Sequence, residues 1–190
     1  MALNSSLVGG IVGGLWGVLI LYWVFRAFGN KRSVFKQSRP SRLLYLVITT
    51  GFIYAIFSAC QLRVPLVRTT VVTQLVGVLT CAAGIGIAIW ARRTLGTNWS
   101  GIVTLKEGHT LVRRGPYAYV RHPIYSAILL AAAGTFLAVQ PTVQGVFCLC
   151  LSFVGLRLKS RLEERVLSQR FPEEYPGYCR EVKALVPFVY

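Results

Sequence analysis

Long apolar runs separated by clusters of arginine and lysine set the pattern of this chain. Leu7 to Phe25 is uninterrupted by charge, and Leu43 to Leu62 and Val71 to Ala91 are each bounded by arginines. All three reach the roughly 20 residues that a helix needs to cross a hydrocarbon core of about 30 Å. Ile124 to Val139 and Thr142 to Leu158 are shorter and separated only by Gln140 and Pro141, which predicts two helices folded into a tight hairpin. The pattern thus predicts an all-α integral membrane protein of about five transmembrane helices, the last two forming a helical hairpin. The first run lacks a basic leader and exceeds the usual length of a secretory signal core, so it is read as a permanent helix. Its Gly9, Gly13 and Gly17, with Gly10 and Gly14 beside them, fall at four-residue spacing and offer a face for close helix approach. Packing within the monomer is favoured there over a dimer seam.

Composition agrees, since 54% of the 190 residues are hydrophobic, which does not suit a soluble domain of this length. Charge then adds an orientation. Arg26, Lys31, Arg32, Lys36, Arg39 and Arg42 follow the first run, whereas Arg63 and Arg68 alone follow the second. Arg92, Arg93, Lys106, Arg113, Arg114 and Arg121 follow the third. Because basic residues are retained on the cytoplasmic side of short loops, the expected arrangement has the amino terminus outside and the carboxyl terminus and catalytic face in the cytoplasm. A net charge of +15 raises the question of nucleic acid. No basic stripe interleaved with exposed aromatics supports it, and attraction to the headgroups of membrane lipids accounts for the charges better.

Acidic residues are few and one-sided. Glu107 precedes the hairpin, Glu163, Glu164, Glu173, Glu174 and Glu181 follow it, and there is no aspartate. The expected division is an N-terminal three-helix membrane region over 1–94 and a catalytic region over 95–190, which holds every carboxylate and both histidines, His109 and His122. Five cysteines make an odd number, and Cys60, Cys81, Cys148 and Cys150 lie in apolar runs, so they read as packing residues. No metal site is expected with two histidines and no clustered thiols. No serine sits in a nucleophile elbow, and Gly84 and Gly86 lie in a membrane helix without the strand, turn and third glycine of a dinucleotide fold.

What remains is the polar stretch from Leu95 to Tyr125, too long for a passive connector and too rich in aromatic and aliphatic residues for a disordered one. Gly115 and Pro116 mark a turn, and Tyr117, Tyr119 and Tyr125 supply ring faces with hydrogen-bonding tips. Pro123 suits the first turn of a helix. From the residues alone, Arg121-His122-Pro123 reads equally as a basic anchor plus helix start or as part of a site.

Three pieces of the second half, in this order around the hairpin, carry a resemblance: "GHTLVRRGPYAYVRHPIY", then "RLEERVLSQRF" with Glu163 and Glu164, then "FPEEYPGY" with a late Val186-Pro187. From Leu95 to Pro187 the chain resembles the isoprenylcysteine carboxyl methyltransferases and, more loosely, the related membrane phospholipid methyltransferases. The resemblance implies S-adenosylmethionine as methyl donor. Its pocket would be closed by the cytoplasmic loop before the hairpin and the helix after it. His109, Thr110, Leu111 and Val112 match the family's first cofactor segment, Tyr117 matches a tyrosine that follows, and His122, Pro123, Ile124 and Tyr125 match the second segment. Glu163 matches the acidic residue of the post-hairpin helix, with Glu164 in reserve.

The donor's ammonium suits a glutamate and its adenine suits ring faces and backbone groups. Methyl displacement requires nucleophile, carbon and sulfur in line. An acceptor that is already a carboxylate needs no base. The resemblance implies an arginine four residues before the cofactor glutamate to orient that carboxylate. Lys159 stands there instead, and Arg157 or Arg161 on the same helix is an alternative. Glu173 and Glu174 are assigned a structural or capping role, and Phe171, Tyr175, Tyr178 and the terminal "LVPFVY" are expected to pack a helical tail against the membrane face.

The expected activity is methyl transfer to the terminal carboxylate of a prenylated cysteine, carried by a lipophilic small molecule or a peptide. N-methylation of a phospholipid amine is a second enzymatic reading. A non-catalytic transporter or scaffold is a third. It predicts ionisable residues inside the spans, which the three long apolar runs lack.

Overall fold

The computed structural model describes residues 2–27, 64–96 and 111–186. Its elements are α1 (Ser5–Ala27), α2 (Val71–Leu95), a 3-10 turn (Gly115–Ala118), α3 (Pro123–Val139), α4 (Val143–Arg170) and α5 (Tyr175–Glu181). Among the described residues there is no strand, only two isolated bridges, Pro65 with Thr142 and Val120 with Lys183. By length and composition α1, α2 and α4 can each cross a membrane, while α3, at 17 residues, is shorter. The expected span Leu43 to Leu62 lies outside the described residues.

Local chemistry fixes the helix starts. Thr70 caps α2 with a reciprocal pair, Thr73 N donating to Thr70 Oγ1 at 3.2 Å and Thr70 N donating to Thr73 Oγ1 at 2.9 Å. Thr142 caps α4 by accepting from Gly145 N at 3.2 Å, just past the Gln140-Pro141 corner of the hairpin. Pro123 occupies the first position of α3, as the sequence predicts, behind His122 at the N-cap. At Gly115 the backbone has φ of 60°, which a side chain rarely adopts, and a Cβ would approach Thr94 Oγ1 at 3.1 Å.

The most extensive seam joins α2 to α3. It is made of small residues: a Cβ on Gly77 would fall 2.3 Å from Ala138 N, on Gly84 2.5 Å from Ala131 N, and on Gly134 2.3 Å from Cys81 N. The two backbones are in direct contact, a geometry that only Gly and Ala permit between membrane helices. Gly84, uninformative as a nucleotide motif, is one of the three contact points. The glycine face of α1 does not meet the described helices. Nothing among the described residues lies within 4 Å of a Cβ placed at Gly9, Gly10, Gly13, Gly14 or Gly17. α1 instead packs through Val8, Val12 and Leu19 onto the core of Cys81, Ile85, Ala88, Ala127, Ala131 and Ala138. These larger side chains bury more apolar area than glycines can. Trp16 Nε1 adds one polar tie, donating to Thr135 Oγ1 on α3 at 3.0 Å.

The fifth apolar run and the post-hairpin helix are one element, α4, of 28 residues. Its apolar part ends at Leu158, and the same rod carries Lys159 to Arg170 beyond the hydrocarbon. Glu163 and Glu164 are therefore rigidly referenced to the membrane.

Candidate functional site

The polar end of α4 meets the start of α3 at a junction of charged side chains. From α4 come Arg157, Lys159, Glu163 and Glu164; from the approach to α3 come Arg121, His122 and Tyr125. Tyr125 Oη donates to Glu163 Oε1 at 2.5 Å, and His122 Nδ1 faces Glu163 Oε2 at 3.5 Å. Glu164 Oε1 accepts from Arg121 Nε at 3.1 Å and Nη2 at 2.8 Å, and lies 3.1 Å from His122 Nε2. Glu164 Oε2 is 3.7 Å from Arg157 Nη1.

The buried imidazole of His122 thus has a carboxylate at each ring nitrogen, an arrangement that suits the doubly protonated form, which donates on both sides. Burial works against that charge, but the hydrogen bonds and charges of Glu163 and Glu164 outweigh it and raise the pKa above the ordinary value. Burial likewise opposes ionisation of Glu164, yet hydrogen bonds from His122 and Arg121, with their charges, hold its carboxyl at about 2. Glu163 is also held below the usual range. There, burial is overcome by the hydrogen bond and charge of His122, the charge of Lys159 and the Tyr125 hydroxyl. Both carboxylates are anions at neutral pH.

Ring faces gather around Glu163. His122 and Tyr125 stack with centroids 5.5 Å apart and planes 6° from parallel, and Lys159 Nζ sits 5.3 Å from the Tyr125 ring centre. Tyr117, Ile124 and Ala91 form a buried cluster, with Val112 and Tyr125 packed on it. The Tyr117 hydroxyl is pushed above its ordinary pKa, first by burial and then by the Glu163 carboxylate. The structure therefore brings Val112, Tyr117, His122, Ile124, Tyr125, Lys159 and Glu163 into one neighbourhood. Leu111 is half-buried beside Val112. His109 and Thr110, with Glu107, lie outside the described residues.

Pro123 points elsewhere. It lines an apolar groove of about 550 Å³ with Trp90, Pro116, Leu130, Phe153 and Leu185, next to the first turn of α3.

Arg121, which the sequence reads equally as an anchor or as part of a site, ties the junction to the tail. Besides holding Glu164, its guanidinium donates to Cys179 O at 3.1 Å and to Val182 O, and its backbone N donates to Lys183 O at 2.8 Å. His122 N donates to Ala184 O at 3.0 Å, and Ser126 Oγ donates to Leu185 O. The tail is thereby sewn to the segment that carries the site. Of the tail aromatics expected on the membrane face, Tyr175 and Tyr178 are instead buried in the protein, and Tyr178 Oη donates to Tyr117 O at 2.6 Å, while residues 187–190 lie outside the described residues. Glu174 stands at the N-cap of α5, but its side chain makes no capping bond; its carbonyl accepts from Arg113 Nη2 at 2.5 Å. The acidic pair next to a "VRH" segment was the available signal for Arg121, since two carboxylates beside one histidine leave a charge for a second cation.

The junction lies inside a stretch that matches known proteins. The model of the isoprenylcysteine carboxyl methyltransferase (ICMT) family matches residues 75–169. The protein-S-isoprenylcysteine O-methyltransferase of Saccharomyces cerevisiae is 35% identical over 103 residues, 52% of this chain and 42% of the yeast protein. That of Mus musculus is 32% identical over 98 residues, 50% of this chain and 35% of its own length. Isoform B of Arabidopsis thaliana is 29% identical over 98 residues, half of each chain. This chain thus spans about half or less of the length of these relatives. The solved structure of a eukaryotic intramembrane Ras methyltransferase ICMT shares the fold, with a TM-score of 0.54 at 21% identity over 82% of this chain and 55% of that one.

Proposed function

Because the chain belongs to the isoprenylcysteine carboxyl methyltransferase family, a multi-pass membrane fold, we propose that it transfers a methyl group from S-adenosylmethionine to the terminal carboxylate of an isoprenylated cysteine. The observation that carries this reading is the meeting of Glu163, His122, Tyr125 and Lys159 at the end of the apolar part of α4.

The donor set fits the cofactor. A half-buried carboxylate kept ionised by its neighbours suits a cationic amine, and the stacked Tyr125 and His122 rings with the apolar Val112, Tyr117 and Ile124 suit an adenine. His109, Thr110 and Leu111 would complete its binding on the loop side. When bound, S-adenosylmethionine supplies an electrophilic methyl on a positively charged sulfonium. Glu163 holds the amine, and Tyr125 and His122 hold Glu163. Lys159, one turn before Glu163 on α4, places an ammonium beside the Tyr125 ring, where it orients the acceptor carboxylate as a point charge without the fork of an arginine. No side chain need remove a proton, since the acceptor is already an anion. Charge is neutralised as the methyl moves, so a pocket shielded from water favours the step.

The lipophilic chain of the acceptor is assigned to the groove lined by Pro123, Leu130 and Phe153. Its volume of about 550 Å³ falls inside the range of about 300–1,000 Å³ found for small-molecule pockets. The cluster of basic residues on the junction side supports a cytoplasmic orientation of that face.

The test is transfer of labelled methyl by the membrane-reconstituted protein to a farnesylcysteine analogue, set against phosphatidylethanolamine. Label in the farnesylcysteine ester is the expected result. Label in the phospholipid alone would replace the acceptor, and label in neither would remove the activity.

A further inference from the structure

A second charged feature runs along α4 outward from the junction. Arg157, Arg161 and Arg165 follow one another at four-residue spacing, which puts them on one face of the helix. With Glu164, Ser168 and Gln169 they line an open groove of about 510 Å³. The groove carries three guanidinium groups and one carboxylate. Glu164 balances them only in part: its Oε2 lies 3.7 Å from Arg157 Nη1, and its Oε1 is held by Arg121 and His122 outside the groove. Arg157 is partly engaged, with Nη1 donating to Ser160 Oγ at 3.0 Å. Arg161 and Arg165 are exposed.

Depth supports a ligand of defined chemistry. The apolar part of α4 stops at Leu158, and at a rise of about 1.5 Å per residue Arg161 lies about 5 Å and Arg165 about 10 Å along the helix beyond it. Polar headgroup layers extend about 5–8 Å from each edge of the hydrocarbon. Guanidinium forks bind phosphate oxygens in pairs, and the Gln169 amide can add a further donor.

We propose that this groove is a binding site for an anionic phosphate group, supplied either by an acidic phospholipid headgroup or by a free phosphate ion. The site is separate from methyl transfer and stands or falls independently of it. The bland alternative is a general attraction of helix-flanking arginines to an anionic surface.

The experiment uses the full chain in nanodiscs holding equal phosphatidylglycerol and phosphatidylcholine, with lipid retained on release measured by native mass spectrometry. The variants are Arg161→Gln with Arg165→Gln and a charge-matched control, Arg170→Gln with Arg180→Gln. At about 1 kcal/mol per arginine near the surface, the groove variant is expected to lose phosphatidylglycerol retention about 30-fold and the control little. In a parallel arm, sodium phosphate is added to protein in phosphatidylcholine nanodiscs, with sodium chloride at matched ionic strength. A rise in melting temperature specific to phosphate and absent in the groove variant assigns the ion as ligand. Equal loss of phosphatidylglycerol in both variants, or no groove-dependent effect in either arm, overturns the site. Retained melting temperature of the variants in chloride confirms folding, expected because both arginines are exposed.

Discussion

The seam between α2 and α3 and the junction between α3 and α4 lie on the same helix, α3, yet hold by opposite means. In the seam, Gly77, Gly84 and Gly134 bring backbone against backbone. Every additional atom there is a liability. In the junction, Arg121, His122, Tyr125, Glu163 and Glu164 are held by charge and hydrogen bonds, and every missing atom leaves a partner exposed in a poorly hydrated place. The seam fixes α3 in the membrane, and the junction fixes what its first turn presents.

The comparison breaks most visibly in the seam. Gly134→Leu must displace the α2 backbone at Cys81, so a loss of about 3 kcal/mol or more is expected, seen as collapse of monodisperse yield and of the melting temperature. A normal melt would mean the helices are not in contact. At the junction the reverse change acts. Glu164→Ala removes the anion from two cations whose side chains are 10% and 6% exposed, and should cost about 2–3 kcal/mol by thermal or denaturant unfolding. Glu164→Gln, which keeps an acceptor, should recover part of that.

The pH profile sharpens the same contrast. Glu164 has its pKa lowered from 4.5 to about 2, so its stabilisation is present above pH 4.5 and lost as pH falls through that interval. His122 has its pKa raised above 6.5, so its share is complete below pH 6.5 and lost as pH rises through the raised value. The melting-temperature gap between wild type and Glu164→Gln should be widest between pH 4.5 and 6.5. It should narrow less on the alkaline side, where Arg121 stays charged. A flat gap would show that the junction is not ionic. The smallest effect belongs to Gly13→Ala on α1, where nothing described lies within 4 Å. Its stability should change by less than about 1 kcal/mol, and a loss like that of Gly134→Leu would reveal a second close seam.

Much of this was legible in the sequence, for identifiable reasons. Apolar runs marked α1, α2, α3 and the first part of α4, Pro123 marked the start of α3, and the Gln140-Pro141 corner marked the hairpin. The regular glycine stripe on α1 meets nothing among the described residues, while the glycines of the α2–α3 seam, Gly77, Gly84 and Gly134, are split between two helices and become a pattern only when paired. Glu163 and Glu164 look alike in sequence. Only three dimensions separate them: adjacent positions on a helix point about 100° apart, and here one carboxylate meets Tyr125 while the other meets Arg121. The tail was expected on the membrane face because its aromatics are apolar. Its backbone carbonyls, which Arg121 and Ser126 hold, leave no trace in residue types.

The central claim is that Glu163 holds the methyl donor while Glu164 holds the scaffold. Calorimetric titration of S-adenosylmethionine into wild type and Glu163→Gln in nanodiscs tests it most directly. Binding to wild type, weakened 10-fold or more in Glu163→Gln that still unfolds cooperatively, is the predicted result, a charge-assisted bond contributing about 1.5–3 kcal/mol. Equal affinity in the two proteins would contradict it.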